Sequence, residues 1–233
     1  MNTDSILALI PAWNEAAHIQ PVLEGVRAYL PVLVVDDGST DDTSALSEAA
    51  GATVVRHDQN RGKGAALGTG YAWALEQGYD AVLTLDADGQ HDPADLPKFL
   101  AAYQAGAGDL IIGRRDFSQM PFPRRIANPL GSWLLSLALG VRIHDNQSGY
   151  RIYTRRVLEG WHPTSTGFEQ EVEVIIRAVR KGLRIGWVEI RTIYDTGKKS
   201  YYDPVKDTAR FLKVVWRAYR LRAKDRRRIP IVR

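Results

Sequence analysis

Asp86-Ala87-Asp88 is the segment of this 233-residue chain whose residue types and spacing most directly suggest chemistry. It follows the apolar run Val82-Leu83-Thr84-Leu85, and in extended backbone residues i and i+2 face the same side. Two neighbouring carboxylates, with Gln90 able to add an oxygen after Gly89 bends the chain, form a ligand set for a hard divalent cation. Mg2+ or Mn2+, kept partly open for phosphate oxygens, suits it. The same residues also fit a plain strand-end turn with solvated acids. Asp36-Asp37-Gly38-Ser39 poses a similar choice, because turns and helix caps favour Asp and Ser. A tandem acid at a strand end also accepts hydrogen bonds from a nucleobase N–H or a ribose hydroxyl. Asn60-Arg61-Gly62-Lys63-Gly64 opens a helix, where backbone N–H groups, the positive dipole end and Lys63 suit phosphate. Its glycines serve close helix packing equally well. The spacing Gly62, Gly64, Gly68 misses the dinucleotide fingerprint by one residue, and no P-loop Gly-Lys-Ser/Thr occurs.

The elements that must position these groups alternate through the first half. Residues 6–10, 32–35, 53–56, 81–85 and 109–112 read as strands; 16–29, 41–50, 64–77 and 93–104 have helical periods or caps. That order implies an α/β fold, Rossmann-like, with a mostly parallel sheet flanked by helices. In such sheets ligands bind beyond the carboxyl ends of the strands. Residues 11–15, 36–39, 60–64, 86–91 and 113–115, where polar residues gather, fall at those ends.

With no cysteine, disulfides and thiolate metal sites are excluded. The first residues lack the basic and apolar regions of a signal peptide. The longest apolar run, Trp133 to Val141, is far short of the roughly 20 residues that span a bilayer. A cytoplasmic protein without a transmembrane helix is expected. The net charge of +4 is unevenly spread: residues 204–233 hold eleven Lys and Arg against Asp207 and Asp225, which leaves residues 1–203 at −5. Two parts are therefore expected, a domain over 1–203 and a basic amphipathic C-terminal helix and tail over 204–233. Val205, Ala209, Leu212, Trp216 and Tyr219 form one stripe of that helix, beside Lys206, Arg210, Lys213, Arg217 and Arg220. Such a helix suits an anionic membrane surface; docking on the core and a disordered tail are the competing readings.

Five segments occur in register: Pro11-Ala12-Trp13-Asn14-Glu15, Val34-Val35-Asp36-Asp37-Gly38-Ser39, Asn60-x-Gly62-Lys63-Gly64, Asp86-Ala87-Asp88-Gly89-Gln90-His91 and Ser148-Gly149-Tyr150-Arg151. Together they resemble glycosyltransferase family 2 with a GT-A fold, most closely its dolichyl-phosphate or polyprenyl-phosphate sugar synthase branch, over about residues 5 to 200. The resemblance implies a hexosyltransferase using a nucleoside-diphosphate sugar of the GDP-mannose or UDP-glucose type. It implies a nucleoside pocket of Pro11, Trp13, Glu15, Val35 and Asp37, and a metal on Asp86, Asp88 and Gln90 with Ala87 beside the donor. Lys63 and Arg114 would lie near phosphates. Trp13 stands where the family commonly has tyrosine, keeping a flat face for a base without the phenol hydroxyl. The late arginine that relatives close over the donor is absent from Tyr194-Asp195-Thr196-Gly197-Lys198-Lys199-Ser200, which leaves Lys198 or Lys199 to supply the charge.

The expected reaction is an inverting displacement at the anomeric carbon, driven by positioning and electrostatic stabilisation. A lipid-phosphate acceptor needs little general base but does need arginines; Arg114, Arg125 and Arg151, together with Arg115 and Arg124, are available. Each fits a solvated basic surface equally well. A hydroxyl acceptor on a sugar or protein would instead need Asp145 or Glu169 as base. The stripe Leu130, Trp133, Leu134, Leu137, Ala138 and Val141 reads first as core and second as an interfacial helix. The five histidines show no zinc-like spacing and read as structural or surface residues, with His91 placed to orient the metal motif. A nucleotidyltransferase would carry a Gly-rich loop where residues 11–15 stand. A non-catalytic nucleic-acid binder has only the tail's charge in its favour.

Overall fold

The computed structural model describes residues 5–120, 122, 124–161, 169–191, 193, 211–216 and 218–220. Seven strands form one mixed sheet: β1 Ile6–Ala12, β2 Val32–Asp36, β3 Thr53–Arg56, β4 Ala81–Thr84, β5 Leu110–Arg115, β6 Arg151–Thr154 and β7 Ile185–Ile190. Helices among the described residues include α1 Ile19–Arg27, α2 Thr43–Ala49, α3 Lys63–Glu76, α4 Leu96–Gln104, α5 Arg124–Leu139, α6 Arg155–Leu158 and α7 Glu169–Arg180. The spatial order is β3-β2-β1-β4-β6-β5-β7. The first four strands of that order run parallel, as alternation predicts.

Burial on both faces explains the unbroken apolar runs of β2 and β4, every residue of which is buried. One core packs between the sheet and α3, α5 and α7; the other packs between the sheet and α1 and α4. Helix α1 buries Ile19, Val22, Leu23 and Val26 at helical spacing. Helix α3 approaches β1 so closely that a Cβ on Gly70 would lie 2.3 Å from Leu9 Cδ1. That contact seats the N-terminus of α3, and so Lys63, over the sheet edge.

Three expectations change. Beyond residue 112 the sequence pattern predicts no strand, yet β6 inserts antiparallel between β4 and β5, and β7 pairs in parallel with β5. Arg114 and Arg115, read as loop, are the last residues of β5. The apolar stripe around α5 is also not core. Ile126, Leu130, Trp133, Leu137 and Val141 are 61, 52, 57, 54 and 42% exposed, and of the predicted stripe only Ala138 is buried. The face that α5 does bury carries Asn128, Gly131, Ser132, Leu135, Ala138 and Leu139.

Residues 211–216 and 218–220 are helical. Ala218 is buried against the core beside Phe211, Val214 and Val215, whereas Leu212, Trp216 and Tyr219 are exposed. An apolar groove of about 460 Å3 runs between this helix and α5. No described helix is long and apolar enough to cross a membrane.

Candidate active site

The rim at the carboxyl ends of β1 to β4 is stitched together by side chains that the sequence placed at strand ends. Asn14, with φ of 54°, accepts the Thr40 N–H on Oδ1 at 2.8 Å, while its own N–H donates to Ser39 Oγ at 2.8 Å. The Glu15 N–H donates to Thr43 Oγ1 at 2.9 Å. Gly38 lies so near the next loop that a Cβ would fall 2.4 Å from the Gln59 carbonyl carbon. Asp37 ties the second loop to the third, accepting the backbone N–H of Arg61 at 2.9 Å and of Gly62 at 2.7 Å, with His57 Nδ1 also 2.7 Å away. Three donors occupy most of a carboxylate's capacity.

Asp37, assigned to a nucleoside pocket by resemblance, is thus a buried fastener between the second and third loops. Val35, assigned with it, is wholly buried in the core and offers no side-chain surface to a ligand. Of the remaining three, Trp13 is 41% exposed at the rim, Pro11 and Glu15 are half-buried, and Glu15 Oε2 lies 3.1 Å from His18 Nδ1.

The fourth loop carries the carboxylate pair. Gly89, with φ of 75°, turns the chain, and the Gln90 N–H donates to Asp88 Oδ1 at 3.0 Å. His91, buried, accepts the Asp86 N–H on Nδ1 at 3.0 Å, so it fastens the motif as expected of that histidine. Burial holds the imidazole below its usual pKa even though Asp86 and Asp88 pull the other way, which keeps Nδ1 an acceptor. Ala87 is buried, so its side chain packs inward. Asp86 Oδ1 lies 2.7 Å from Lys63 Nζ, and the same ammonium lies 3.0 Å from Glu171 Oε1 on α7.

Burial works to raise the Asp86 carboxyl. The Lys63 ammonium outweighs it, with Arg115 acting in the same direction, and the carboxyl sits at about 2. Burial likewise works to lower Lys63, but the facing Asp86 and Glu171 carboxylates hold it above the usual lysine value. Gly149 backs this cluster: a Cβ there would lie 3.0 Å from Asp86 Oδ2 and 3.3 Å from Lys63 Nζ. Glu171 is a member of the cluster that the sequence pattern did not single out, since it lies 108 residues from Lys63 inside an ordinary amphipathic helix.

Among the described residues no group of three or more His, Asp or Glu side chains converges as a closed metal cage. The Asp86-x-Asp88 pair fits a different type of site. Mg2+-like ions are commonly held by one or two carboxylates, with waters and substrate phosphates completing the shell. A carboxylate already holding a cation and kept ionised far below neutrality is suited to that task.

Beside Arg115 opens a cavity of about 900 Å3 between the ends of β5 and β7 and helix α5. Arg114, Arg142, His144 and Arg191 give it a basic wall; Trp133, Leu137 and Val141 give it an apolar one. Arg114 is 46% exposed, with Glu189 3.7 Å from its guanidinium. Arg115 forms a two-pronged pair with Asp145, Nε to Oδ2 at 2.7 Å and Nη2 to Oδ1 at 2.9 Å. Asp145 is completely buried by that pairing, which removes it as an accessible base.

Arg151 corrects an expectation. It is wholly buried, and its guanidinium donates to the carbonyls of Ser148, Asn146 and Glu171, so it holds the floor of the site and does not reach an acceptor. Arg125 is exposed in the first turn of α5 and does not line the cavity. Arg142, His144 and Arg191 are among the cavity residues that sequence reasoning missed; for the first two the run Arg142-Ile143-His144-Asp145 was the available signal. Lys198 and Lys199 lie outside the described residues.

The family model of glycosyl transferase family 2 matches residues 8–162. A polyprenol monophosphomannose synthase of Mycolicibacterium smegmatis is 34% identical over 205 residues, 81% of this chain and 77% of that one. A UDP-N-acetylglucosamine–dolichyl-phosphate N-acetylglucosaminyltransferase of Methanococcus voltae is 31% identical over 215 residues, 81% of this chain and 86% of that one. In structure the chain is similar to glucosyl-3-phosphoglycerate synthase of Mycobacterium tuberculosis, solved with Mn2+, UDP and glucosyl-3-phosphoglycerate. The TM-score is 0.68 at 23% identity, covering 91% of this chain and 77% of that one.

Proposed function

The chain belongs to glycosyl transferase family 2, and we propose that this glycosyltransferase moves a hexose, with inversion, from a nucleoside-diphosphate sugar to a polyprenyl or dolichyl phosphate. The donor is of the GDP-mannose or UDP-glucose type. One observation carries the acceptor half. The basic cavity is lined both by Arg115, whose charge acts on Asp86, and by Trp133, Leu137 and Val141 of the exposed apolar face of α5. A phosphate on an apolar tail needs that sequence of surfaces. The two curated relatives are named for polyprenol and dolichyl-phosphate products or substrates, which supports the same class.

Pro11, Trp13 and Glu15 provide the surface for the nucleoside, with Trp13 supplying a flat face. Asp86 and Asp88, with the Gln90 oxygen, would hold Mg2+ or Mn2+, an assignment that the Mn2+ and UDP of the solved structural neighbour support. Such an ion, when bound, neutralises charge gathering on the departing nucleoside diphosphate. Lys63 places a second positive charge beside Asp86, on the helix N-terminus where phosphate oxygens are favoured. Arg114, Arg142 and Arg191 hold the acceptor phosphate; guanidinium forks match its oxygens. One of those oxygens attacks the anomeric carbon from the face opposite the diphosphate. A C–O bond to the acceptor forms as the C–O bond to the donor's β-phosphate breaks. A phosphate monoester is largely ionised near pH 7, so the occupation of Asp145 by Arg115 costs this reaction nothing.

Attachment to the cytoplasmic face of an anionic bilayer fits the same geometry. Ile126, Leu130, Trp133 and Leu137 project from one face of α5, flanked by Arg124, Arg125 and Arg142. The C-terminal helix adds Leu212, Trp216 and Tyr219 beside them, with Arg220 resting 4.4 Å over the Trp216 ring. Each basic residue near such a surface contributes about 1 kcal/mol. The test is a matrix of GDP-sugars and UDP-sugars against polyprenyl phosphate in anionic vesicles, with Mg2+ or Mn2+, scored for lipid-linked sugar. One donor should stand out. Labelling of a sugar or protein acceptor, with no lipid product from any pair, would overturn the acceptor assignment.

A further inference from the structure

The Lys63 ammonium is shared between two carboxylates that play different parts. Asp86 belongs to the carboxylate pair and keeps 30% of its side chain open to the cleft, whereas Glu171 is only 5% exposed in the first turn of α7. A buried carboxylate costs several kcal/mol unless it is paired, and the cation facing Glu171 is Lys63. Its second oxygen, Oε2, is buried without a hydrogen-bond partner among the described residues, so no network of its own accounts for its place. Backbone contacts fix its place. Arg151 Nη1 donates to the Glu171 carbonyl at 2.7 Å and also binds the Ser148 and Asn146 carbonyls. It thereby locks the start of α7 to the segment whose Gly149 lies against Asp86 and Lys63.

From this geometry we propose that Glu171 is a positioning residue of the transfer reaction: it anchors Lys63 so that the ammonium stays beside the diphosphate site when Asp86 engages a divalent cation. The inference rests on the donor half of the proposed function and is independent of the acceptor. Lys63 offsets one of the two carboxylates that contact it, Asp86 and Glu171, and Asp88 follows Asp86 two residues on. An arriving ion repels the ammonium, and Glu171 pulls it from the opposite side. Without Glu171 the opposing pull on the ammonium is gone, and Lys63 competes with the metal for Asp86.

The test uses the full chain and Glu171→Gln, which removes the charge and keeps the shape. Mn2+ alone is titrated by electron paramagnetic resonance, and UDP and GDP are then titrated by calorimetry in the presence of Mn2+. Glu171→Gln should weaken Mn2+ binding about tenfold, as expected for charges coupled through one partner. The effect should vanish in a Lys63→Met background. Glu171→Asp keeps the charge but withdraws it, and should lose less; if Glu171→Gln does not fold, that variant carries the test. Mn2+ affinity unchanged in both variants, or a loss that persists undiminished with Lys63→Met, overturns the proposal. A wild-type chain that binds no Mn2+ overturns the metal-site reading itself, and this inference with it.

Discussion

Gly149→Ala puts a single methyl group against the proposed metal site. Gly149 is not in the left-handed region, so alanine fits the backbone there. The new Cβ would meet Asp86 Oδ2 at 3.0 Å, Asp86 Oδ1 at 3.2 Å and Lys63 Nζ at 3.3 Å. Comfortable heavy-atom contacts begin near 3.5 Å, so the carboxylate and the ammonium must each retreat by a few tenths of an ångström. Asp86 can do so, because its side chain opens toward the cleft. The cost to the fold should therefore fall at or below the low end of the roughly 1–3 kcal/mol typical of overpacking.

The cost to metal binding should be larger. Ligand distances in metal sites hold to within about 0.2 Å, and disturbing the groups that orient a ligand typically costs about 10–100-fold in affinity. Mn2+ titration and thermal unfolding of the same preparation separate the two effects. The expected result is a shift of Mn2+ dependence by at least about tenfold with a Tm lowered by only a few degrees, and transfer partly restored at high Mn2+. An unchanged Mn2+ affinity would refute the reasoning that sets Gly149 as the backstop of Asp86 and Lys63.

Two further outcomes follow from the same cluster. Asp88→Asn should abolish turnover and metal-dependent donor binding while the far-ultraviolet spectrum and Tm stay near those of the wild type; retained activity would remove Asp88 from the metal set. Acid stability reports the Asp86–Lys63 pair. Asp86 takes up its proton near 3.8 when unfolded and near 2 when folded, so the stability it contributes is complete above 3.8 and is lost as the pH falls toward 2. Chemical denaturation between about pH 4 and pH 2 should show the wild type losing stability more steeply than Asp86→Asn. Parallel slopes would contradict the pairing.

Much of the donor half is legible in the sequence. Apolar or β-branched runs of four or five residues alternating with helical periods specify β1 to β5 and α1 to α4, because burial on both faces of the sheet imposes that pattern on its inner strands and β-branched residues suit its edge strand β3. The polar strand ends then fall on one rim by the logic of the topology, and Asp86-x-Asp88 on that rim is a local signal. The second half carried weaker signals. β6 is four residues long and begins with an arginine, so nothing in its period announces a strand. The stripe on α5 has the periodicity of a core helix, and periodicity alone does not say whether an apolar face meets protein or an exposed surface.

Arg151, Asp145 and Glu171 show the boundary most clearly. As residue types, each was a fair candidate for direct chemistry or for nothing at all. The path of the chain decided between roles: Arg151 is sealed among carbonyls, Asp145 is spent on Arg115 thirty residues away, and Glu171 meets Lys63 across 108 residues. The sequence by itself determined the α/β layering and the chemical types gathered at the sheet edge, since periodicity and strand-end chemistry are properties of neighbouring residues. Only the tertiary structure decided which charges are spent holding the site and which remain open to substrate, because ion pairing and burial depend on partners that no local spacing encodes.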